Sequence, residues 1–188
     1  MMTLDTRFVG VDADRDTIEA SVRPSGELWT VESGEAGMTE IASRLSSIRP
    51  DLVVMQANGN YELPLAGILA TAGLPFALVL PRNVRDFARA IGRLTRAGQR
   101  QADLLAHFAE LVRPEAWPLS DELIQQLRDL RMRRQEVIEM MSLERGRLET
   151  APFIVQKDVQ HHIQCLQKSL SGLDEQFSRT IRASRIWR

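Results

Sequence analysis

After three short strand-like runs, the spacing of apolar residues changes from that of strands to that of a helix, and this change limits the folds that the chain can adopt. Three short runs with strand character lie at about residues 7–11, 17–22 and 27–31, separated by Asp, Pro and Gly residues typical of turns. Between Met38 and Ile48 the apolar residues recur every three or four positions, which predicts an amphipathic helix. The sequence therefore predicts an antiparallel meander followed by a helix.

The next stretch predicts a parallel crossover. Buried strands are expected at residues 52–55 and 76–80, with a helix between them at about residues 63–72. Such a strand–helix–strand unit is right-handed and makes its two strands parallel. A three-stranded meander followed by parallel strands is the order expected of an α/β domain with a ribonuclease H-like mixed sheet and flanking helices. We predict that this domain covers residues 1–116.

Residues 119–188 predict a second, helical domain. Ser120 can cap its first helix, and the sequence Thr150-Ala151-Pro152 breaks the pattern between two long runs. Apolar residues recur there in steps of three and four, at Leu123, Leu127, Leu130, Val137 and Met141 and again at Val159, Ile163, Leu166, Leu170, Leu173 and Phe177. The spacing predicts an antiparallel α-helical hairpin or coiled coil. Its narrow apolar seams favour a homo-oligomer, with packing inside one chain as the alternative.

Composition narrows the class of protein. The chain has 188 residues, a net charge of -1 and a single cysteine, so an intramolecular disulfide is excluded. No signal-peptide pattern opens the sequence, and no apolar stretch reaches the roughly 18 residues of a membrane-spanning helix. We therefore expect a cytoplasmic protein that does not enter a membrane.

Positive charge is concentrated after residue 80. Residues 81–100 carry six Arg and one acid, whereas residues 1–80 carry five Arg, no Lys and eleven acids. The six arginines, at intervals of three or four, are Arg82, Arg85, Arg89, Arg93, Arg96 and Arg100. Like charges at this spacing repel one another within a helix, so the pattern predicts contact with a nucleic-acid backbone more strongly than a solvated face. A second group is expected to contribute: Arg131, Arg133 and Arg134.

The first two buried strands end differently. Asp12 follows the run at residues 8–11, whereas the amide Gln56 follows the run at residues 52–55. Carboxylates at the ends of neighbouring strands hold two divalent metal ions roughly 4 Å apart in many nucleases, and an amide is a poor substitute for the second anion. Asp12 can bind one Mg²⁺ weakly, or it can simply cap a turn.

Three segments in order carry a resemblance to a known family. They are residues 9–12 with 16–17, residues 61–65 and residues 81–94. They resemble the N-terminal half of the insertion-sequence 110 group of DEDD transposases and their relatives, the Piv-type invertases, and the likeness continues through the helical hairpin. The resemblance implies a ribonuclease H-like (RuvC-like) domain that holds Mg²⁺ with Asp, Glu, Asp and Asp, a later domain bearing a serine nucleophile, and strand exchange guided by a structured RNA.

The resemblance also implies which residues would hold the metal, and most of them are changed. Asp12 matches the first acid, and Gln56 stands where the family has Glu. The family's Lys-Thr-Asp-Arg-x-Asp-Ala stretch aligns with residues 96–102, so that Gly98 and Gln101 replace the two remaining aspartates. Two metal ions need more negative charge than Asp12 alone offers, so we expect no nuclease activity and no, or only weak, Mg²⁺ binding.

Nearby acids are not expected to restore this site. Asp103 lies two residues beyond Gln101, about 200° around a helix. Glu62, Asp14 and Asp16 are interpreted as surface or turn residues. Asn58 and Asn60, in the loop after the strand, replace residues that are usually small or hydroxylated in the family.

Two further groups are weaker candidates for chemistry. His161 and Cys165 are four residues apart and can share a metal, but a zinc site needs about four ligands. His107 lies beside Phe108 in an apolar helix, which favours a packed histidine over a general base.

Three functions remain open on these grounds. The first is a transposase-like protein that binds RNA or DNA as a scaffold or regulator and has lost metal-dependent strand cleavage. The second is an active transposase or recombinase component that works with a separate serine-bearing partner. The third is a protein-interaction module whose hairpin supplies the contact surface.

Overall fold

The computed structural model describes residues 6–57, 61–92, 100–118 and 120–183. The chain divides into two compact units, the first ending at Leu119 and the second beginning at Ser120. Within the part of the chain that is described, no helix has both the length and the apolar character needed to cross a membrane.

The first unit combines five strands with four helices among its described residues. In chain order they are β1 (Phe8–Ala13), β2 (Thr17–Arg23), β3 (Leu28–Glu32), α1 (Glu35–Ile48), β4 (Leu52–Gln56), α2 (Glu62–Thr71), β5 (Phe76–Val79), α3 (Pro81–Ala90) and α4 (Gln101–Val112). The predicted α/β order is confirmed.

The strands form one mixed sheet in the order β3-β2-β1-β4-β5. The pairs β1–β2 and β2–β3 are antiparallel, and the pairs β1–β4 and β4–β5 are parallel. The meander and the crossover therefore meet on β1, which lies at the centre. The predicted ribonuclease H-like mixed sheet with flanking helices is confirmed.

Helix α4 packs across one face of this sheet. Leu104, Leu105 and Phe108 of α4 belong to one buried cluster with residues from β1, β4, β5 and α3. A Cβ atom added at Gly10 would overlap the backbone of Ala102 and Ala106, so α4 lies directly against β1 at that point. Gly10 is thus required by close approach between helix and strand.

One strand boundary differs from the sequence predictions. Strand β1 continues to Ala13, so Asp12 lies inside the strand, paired with Glu19 of β2, and not after it. The prediction failed because ladder pairing with β2 keeps the backbone extended beyond the apolar run. Helix α3 ends at Ala90, and Gly92 follows with φ of 68°.

The second unit is a hairpin of two long helices, α5 (Asp121–Thr150) and α6 (Phe153–Ala183). Ser120 caps α5 as predicted, because its side chain accepts a hydrogen bond from the backbone N–H of Leu123. Predicted seam residues of both helices pack against one another: Val137, Met141, Ile163 and Leu166, bordered by Leu148, Val159, Leu170 and Leu173. The seams are therefore covered, at least in part, inside one chain.

Two polar contacts interrupt the apolar seam of the hairpin. Arg134 Nε lies 2.7 Å from Asp174 Oδ1, and Glu144 Oε1 lies 3.4 Å from His162 Nδ1. Each contact joins α5 to α6. A shift of one helix along the other would break both contacts. The contacts therefore favour one register of the hairpin.

Candidate functional site

Side chains from three strands meet α4 at the carboxyl-terminal edge of β1. Because side chains alternate along a strand, Gly10 and Asp12 of β1 face the same side of the sheet, as do Val54 and Gln56 of β4. Val11 pairs with Met55 in the parallel β1–β4 ladder, so Asp12 and Gln56 are the next neighbours along it. The structure brings these two predicted site residues to adjacent strand ends.

Helix α4 begins at the same edge. Gln101, its first residue, donates a hydrogen bond from Nε2 to Oε1 of Gln56 over 2.8 Å. Both side chains are half-buried. Two of the residues that the resemblance aligns with family acids are therefore in direct contact with each other, while the third, Gly98, lies outside the described residues.

Asp12 is surrounded by other acids. Glu19 faces it directly across the antiparallel β1–β2 ladder. Burial raises the pKa of the Asp12 carboxyl above its ordinary value, and the carboxylates of Asp14 and Glu19 raise it further. These surroundings therefore make the ionised form of Asp12 less favourable than that of an isolated aspartate.

An arginine lies beside these acids. Arg100, the residue before α4, places Nη1 3.2 Å from Oε1 of Glu19. The sequence prediction put Arg100 on the nucleic-acid surface and made no use of Glu19. The signal was present, because a four-residue turn after Ala13 pairs position 12 with position 19, but the pairing partner of Arg100 depends on how α4 docks.

The strand end offers a poor donor set for Mg²⁺. Among the residues that the structure describes, no three His, Cys, Asp or Glu side chains lie close enough together to hold a metal ion. The oxygen of Gln56 already accepts a hydrogen bond from Gln101, and an amide carries no charge to balance a divalent cation. The described residues at this position do not fit two metal ions.

Asp103 points to a different part of the sheet. Its Oδ1 lies 4.0 Å from Nη1 of Arg23, which also binds Glu110 near the other end of α4. Arg23 is paired with Phe8, at the opposite end of β1 from Asp12. The Asp103 carboxylate thus takes part in fixing α4 to β2.

Helix α3 presents arginines to solvent. Arg82, Arg85 and Arg89 are exposed, while Val84 and Ala88 on the other side of the helix are buried. Arg89 makes an ion pair with Asp86 over 3.3 Å, and Arg82 and Arg85 make none with any residue in the described ranges. The remaining members of the predicted stripe, Arg93 and Arg96, lie outside the described residues.

The second group of arginines is more involved in local contacts. Arg133 is exposed and lies 2.7 Å from Glu136 on the same helix, and Arg134 binds Asp174 of α6. Arg131 is half-buried. Arg131 and Arg134 are therefore less exposed than the arginines of α3, whereas Arg133 is exposed and paired on its own helix, as Arg89 is.

The interpretation of Glu62 as a surface or turn residue was wrong. Glu62 is the first residue of α2 and only 1% of it is exposed. The prediction failed because α2 is buried along most of its length, so that even its first residue is covered. A signal was present, because residues 63–70 of α2 are apolar around the whole helix, as is typical of a buried helix.

The two other acids are turn residues as predicted. Asp14 Oδ1 accepts hydrogen bonds from the backbone N–H groups of Asp16 and Thr17, both over 2.8 Å. These hydrogen bonds lower the pKa of the exposed Asp14 carboxyl. Asp16 is itself exposed.

His107 makes a packing contact, and His161 and Cys165 contact each other. His107 packs edge-on against Phe87, with ring centroids 5.6 Å apart, in agreement with a packed histidine. Cys165 is exposed, and its Sγ lies 3.7 Å from Nε2 of His161. No third metal-binding side chain joins this pair within residues 120–183.

Comparisons with known proteins identify relatives of this arrangement. A profile of a DEDD transposase family of the insertion-sequence 110 group, described as a transposase, matches residues 9–151. Among solved structures, the chain is similar to that of "T. thermophilus RuvC in complex with Holliday junction substrate", with 17% identity, a TM-score of 0.42, and coverage of 61% of this chain and 100% of that one. None of the curated proteins compared with the chain matches it.

Proposed function

The chain belongs to the DEDD transposase family of the insertion-sequence 110 group, and we propose that it binds nucleic acid as a scaffold or regulator without cutting it. The observation that carries this proposal is the hydrogen bond between Gln56 and Gln101. Binding is assigned to the exposed arginines of α3.

The amide pair supports the loss of cleavage on chemical grounds. Two carboxylates placed 2.8 Å apart would repel each other and would need a cation between them, whereas two amides satisfy each other directly. A donor N–H therefore lies where the family resemblance implies an anionic ligand. Two-metal phosphoryl transfer depends on that anionic charge, since the protein must hold both cations in place.

The arginines of α3 support binding to a polyanion. Arg82 and Arg89 are separated by seven residues, or about 10 Å along the helix axis, and Arg85 lies between them on the same side. The first turn of α3 contains no acid, and Pro81 occupies the start of the helix. Positive side chains and the positive end of the helix dipole thus coincide, which favours a run of phosphate groups.

Contacts of this type give affinity without sequence selection. Each guanidinium that replaces a counterion on a phosphate adds about 0.9 to the salt slope of the binding constant for B-form DNA. The arginines described on α3 therefore predict salt-dependent binding with little discrimination between base sequences. Whether RNA or DNA binds more tightly is an outcome of the experiment below.

The test compares two charge-reversal variants of the full chain. In the first, Arg82, Arg85 and Arg89 are changed to Glu; in the control, three exposed arginines elsewhere, Arg15, Arg49 and Arg145, are changed to Glu. Binding to labelled single- and double-stranded RNA and DNA is measured between 50 and 200 mM salt. We expect the first variant to lose at least about 100-fold in affinity and the control to lose less than about tenfold.

Equal losses in the two variants would overturn the assignment to α3, because only net charge would then matter. A wild-type protein that binds no nucleic acid at low salt, with both variants folded, would favour the protein-interaction module instead. Circular dichroism checks that the variants are folded.

Cleavage is tested separately with Mg²⁺ or Mn²⁺ on branched and linear DNA. We expect no cleavage above that of an Asp12→Ala variant. Metal-dependent cleavage that disappears in Asp12→Ala would establish the competing function, an active recombinase component that uses a separate serine-bearing partner.

We also propose that the hairpin supports self-association through its outer surface, since its seam packs inside one chain. Phe153 and Ile154, at the start of α6, are 90% and 88% exposed, and Leu143 of α5 is also exposed. Light scattering on the wild type and on a Phe153→Ser, Ile154→Ser variant measures the mass. A wild-type monomer would exclude this part of the proposal.

A further inference from the structure

We infer that Arg100 is the chain's own cation at the strand end: its guanidinium neutralises Glu19 of β2, which faces Asp12 of β1, at the place where the family resemblance implies a metal site. The inference rests on the loss of metal-dependent cleavage proposed above, and it is independent of the binding assigned to α3. It also gives Arg100 a role different from the one predicted from the sequence.

The carboxylates at this edge need a counter-charge. Asp12 and Glu19 face each other across the antiparallel ladder, where Cβ atoms of paired residues are about 5 Å apart. Like charges directly opposite each other destabilise such a pair. Asp14 adds a third negative charge, and the pKa of Asp12 is raised in part by both neighbours.

Arg100 supplies positive charge from a different element. Its Nη1 lies 3.2 Å from Oε1 of Glu19, and both side chains are partly covered, 49% and 27% exposed respectively. The position of Arg100 immediately before α4 is fixed, because α4 lies against β1 at Gly10. Packing of α4 therefore holds the backbone at Arg100 close to β1, and the ion pair with Glu19 positions the guanidinium.

Arg100 and Gln101 contact the two strands that lie on either side of β1 in the sheet. Arg100 contacts Glu19 on β2, and the next residue, Gln101, contacts Gln56 on β4. Asp12 of the central strand lies between these two contacts in the order of the sheet. The residues at the start of α4 thus contact the two strands that flank β1.

A metal ion bound by side chains from several elements has two physical effects: it neutralises acids and it ties the elements together. In this chain the guanidinium of Arg100 provides the first effect, and the amide pair together with the Arg100–Glu19 contact provides the second. The residues at this edge do not fit Mg²⁺, and their contacts account for the stability of the edge without it.

The experiment uses thermal unfolding of the full-length chain in two salts of equal ionic strength, NaCl and MgCl₂. The variants are Arg100→Gln, Glu19→Gln and the double variant. The matched control is Arg44→Gln, which breaks an exposed arginine–glutamate pair between Arg44 and Glu40 on α1.

We expect the unfolding temperature of the wild type to be the same in both salts to within about 1 °C. Arg100→Gln should lower it by about 1–3 °C in NaCl and regain at least half of that loss in MgCl₂, because the uncovered acids then attract a divalent ion. Arg44→Gln should show no gain specific to Mg²⁺. The double variant should lose the Mg²⁺ effect, since Glu19 no longer contributes charge.

Two results would overturn the inference. One is a wild type that MgCl₂ stabilises as much as it stabilises Arg100→Gln, because the acids would then bind the metal ion despite Arg100. The other is an Arg100→Gln variant without a Mg²⁺-specific gain. Arg100→Lys provides a second check if Arg100→Gln does not fold, since it keeps the charge and should behave as the wild type does in both salts.

Nucleic-acid affinity separates this inference from the proposed function. Arg100→Gln should bind RNA and DNA within about twofold of the wild type, with an unchanged salt slope. A loss of affinity with a lower slope would show that Arg100 contacts phosphate and would overturn the inference. If the α3 variants leave binding unchanged while the unfolding results are as expected, the proposed function fails and this inference stands.

Discussion

The strand end and the exposed face of α3 use the same kind of side chain in opposite ways. At the strand end, Arg100 binds Glu19 and Gln101 binds Gln56, so these four polar side chains are paired within the chain. On α3, Arg82 and Arg85 make no ion pair with any described residue. The paired side chains of the first region already have partners within the chain, whereas the arginines of the second region are exposed and can bind a partner molecule.

This difference shows why charge counting along a sequence is not enough. The regular spacing of arginines from position 82 to position 100 suggested one continuous surface. The structure places Arg100 at the start of a different helix, beside acids of β2. An arginine that faces a carboxylate in its own chain is already neutralised, whereas one that faces solvent can exchange its counterion for a phosphate.

The largest expected effect concerns the packing that keeps the strand end closed. Gly10→Ala should lower the free energy of unfolding by about 3 kcal/mol or more, because the new methyl group overlaps the α4 backbone and pushes Gln101 away from Gln56. Chemical denaturation measures the change.

A matched glycine provides the control for that result. Gly172, inside α6, has open space where a Cβ atom would lie, so Gly172→Ala should stabilise the protein by about 0.5–1 kcal/mol. If both substitutions have the same small effect, α4 is not held against β1 as the structure indicates.

The next effect comes from giving the strand end the charges of the family site. Changing Gln56 to Glu and Gln101 to Asp places two further carboxylates beside Asp12, and we expect a loss of about 2 kcal/mol at pH 7. Repulsion raises the pKa of these carboxyls in the folded state. The loss is therefore fully present above the raised pKa values and disappears as the pH falls below their ordinary value of about 4.

Millimolar Mg²⁺ should restore part of this loss in the variant and not in the wild type. Unfolding curves at pH 7 and pH 4, with and without Mg²⁺, provide the measurement. A variant as stable as the wild type at pH 7 without Mg²⁺ would contradict the view that the two amides stabilise the strand end by pairing with each other.

A smaller effect is expected for the exposed arginines of α3. Arg85→Gln should weaken nucleic-acid binding about fivefold, or roughly 1 kcal/mol, and leave stability within about 0.5 kcal/mol, since Arg85 makes no described ion pair. Arg133→Gln is the control, because Arg133 is exposed and already binds Glu136. Similar affinities for the two variants would mean that α3 is not the preferred surface.

The smallest effect tests the electrostatics of Asp12. Asp12→Asn should stabilise the protein by up to about 0.5 kcal/mol at pH 7, because burial and two neighbouring carboxylates disfavour the ionised form. The raised pKa gives the sign: the penalty is present above the folded-state pKa and absent below the ordinary value, so wild type and variant should converge as the pH falls. A gain that grows at low pH would contradict this assignment.

Several features of the fold follow from the sequence with little ambiguity. The change from strand-like runs to helical spacing predicted the mixed sheet, and the steps of three and four predicted the helices of the hairpin. Ser120 marked the start of α5 correctly. These signals are local, because they depend on backbone preference and on the alternation of apolar residues within one element.

The contacts between side chains at the candidate site could not be predicted from local sequence signals. Gln56 and Gln101 are 45 residues apart, and Glu19 and Arg100 are 81 residues apart, so their pairing depends on where α4 docks on the sheet. That docking is set by close packing at Gly10, and the burial of Glu62 likewise depends on the packing of α2. Local patterns of apolar and turn residues were enough to predict the order of strands and helices, and the resemblance to the family supplied the expectation that Gln56, Gly98 and Gln101 stand at positions of acids. Which charges are neutralised within the chain became visible in the folded protein, because neutralisation depends on distances between elements that no local pattern specifies.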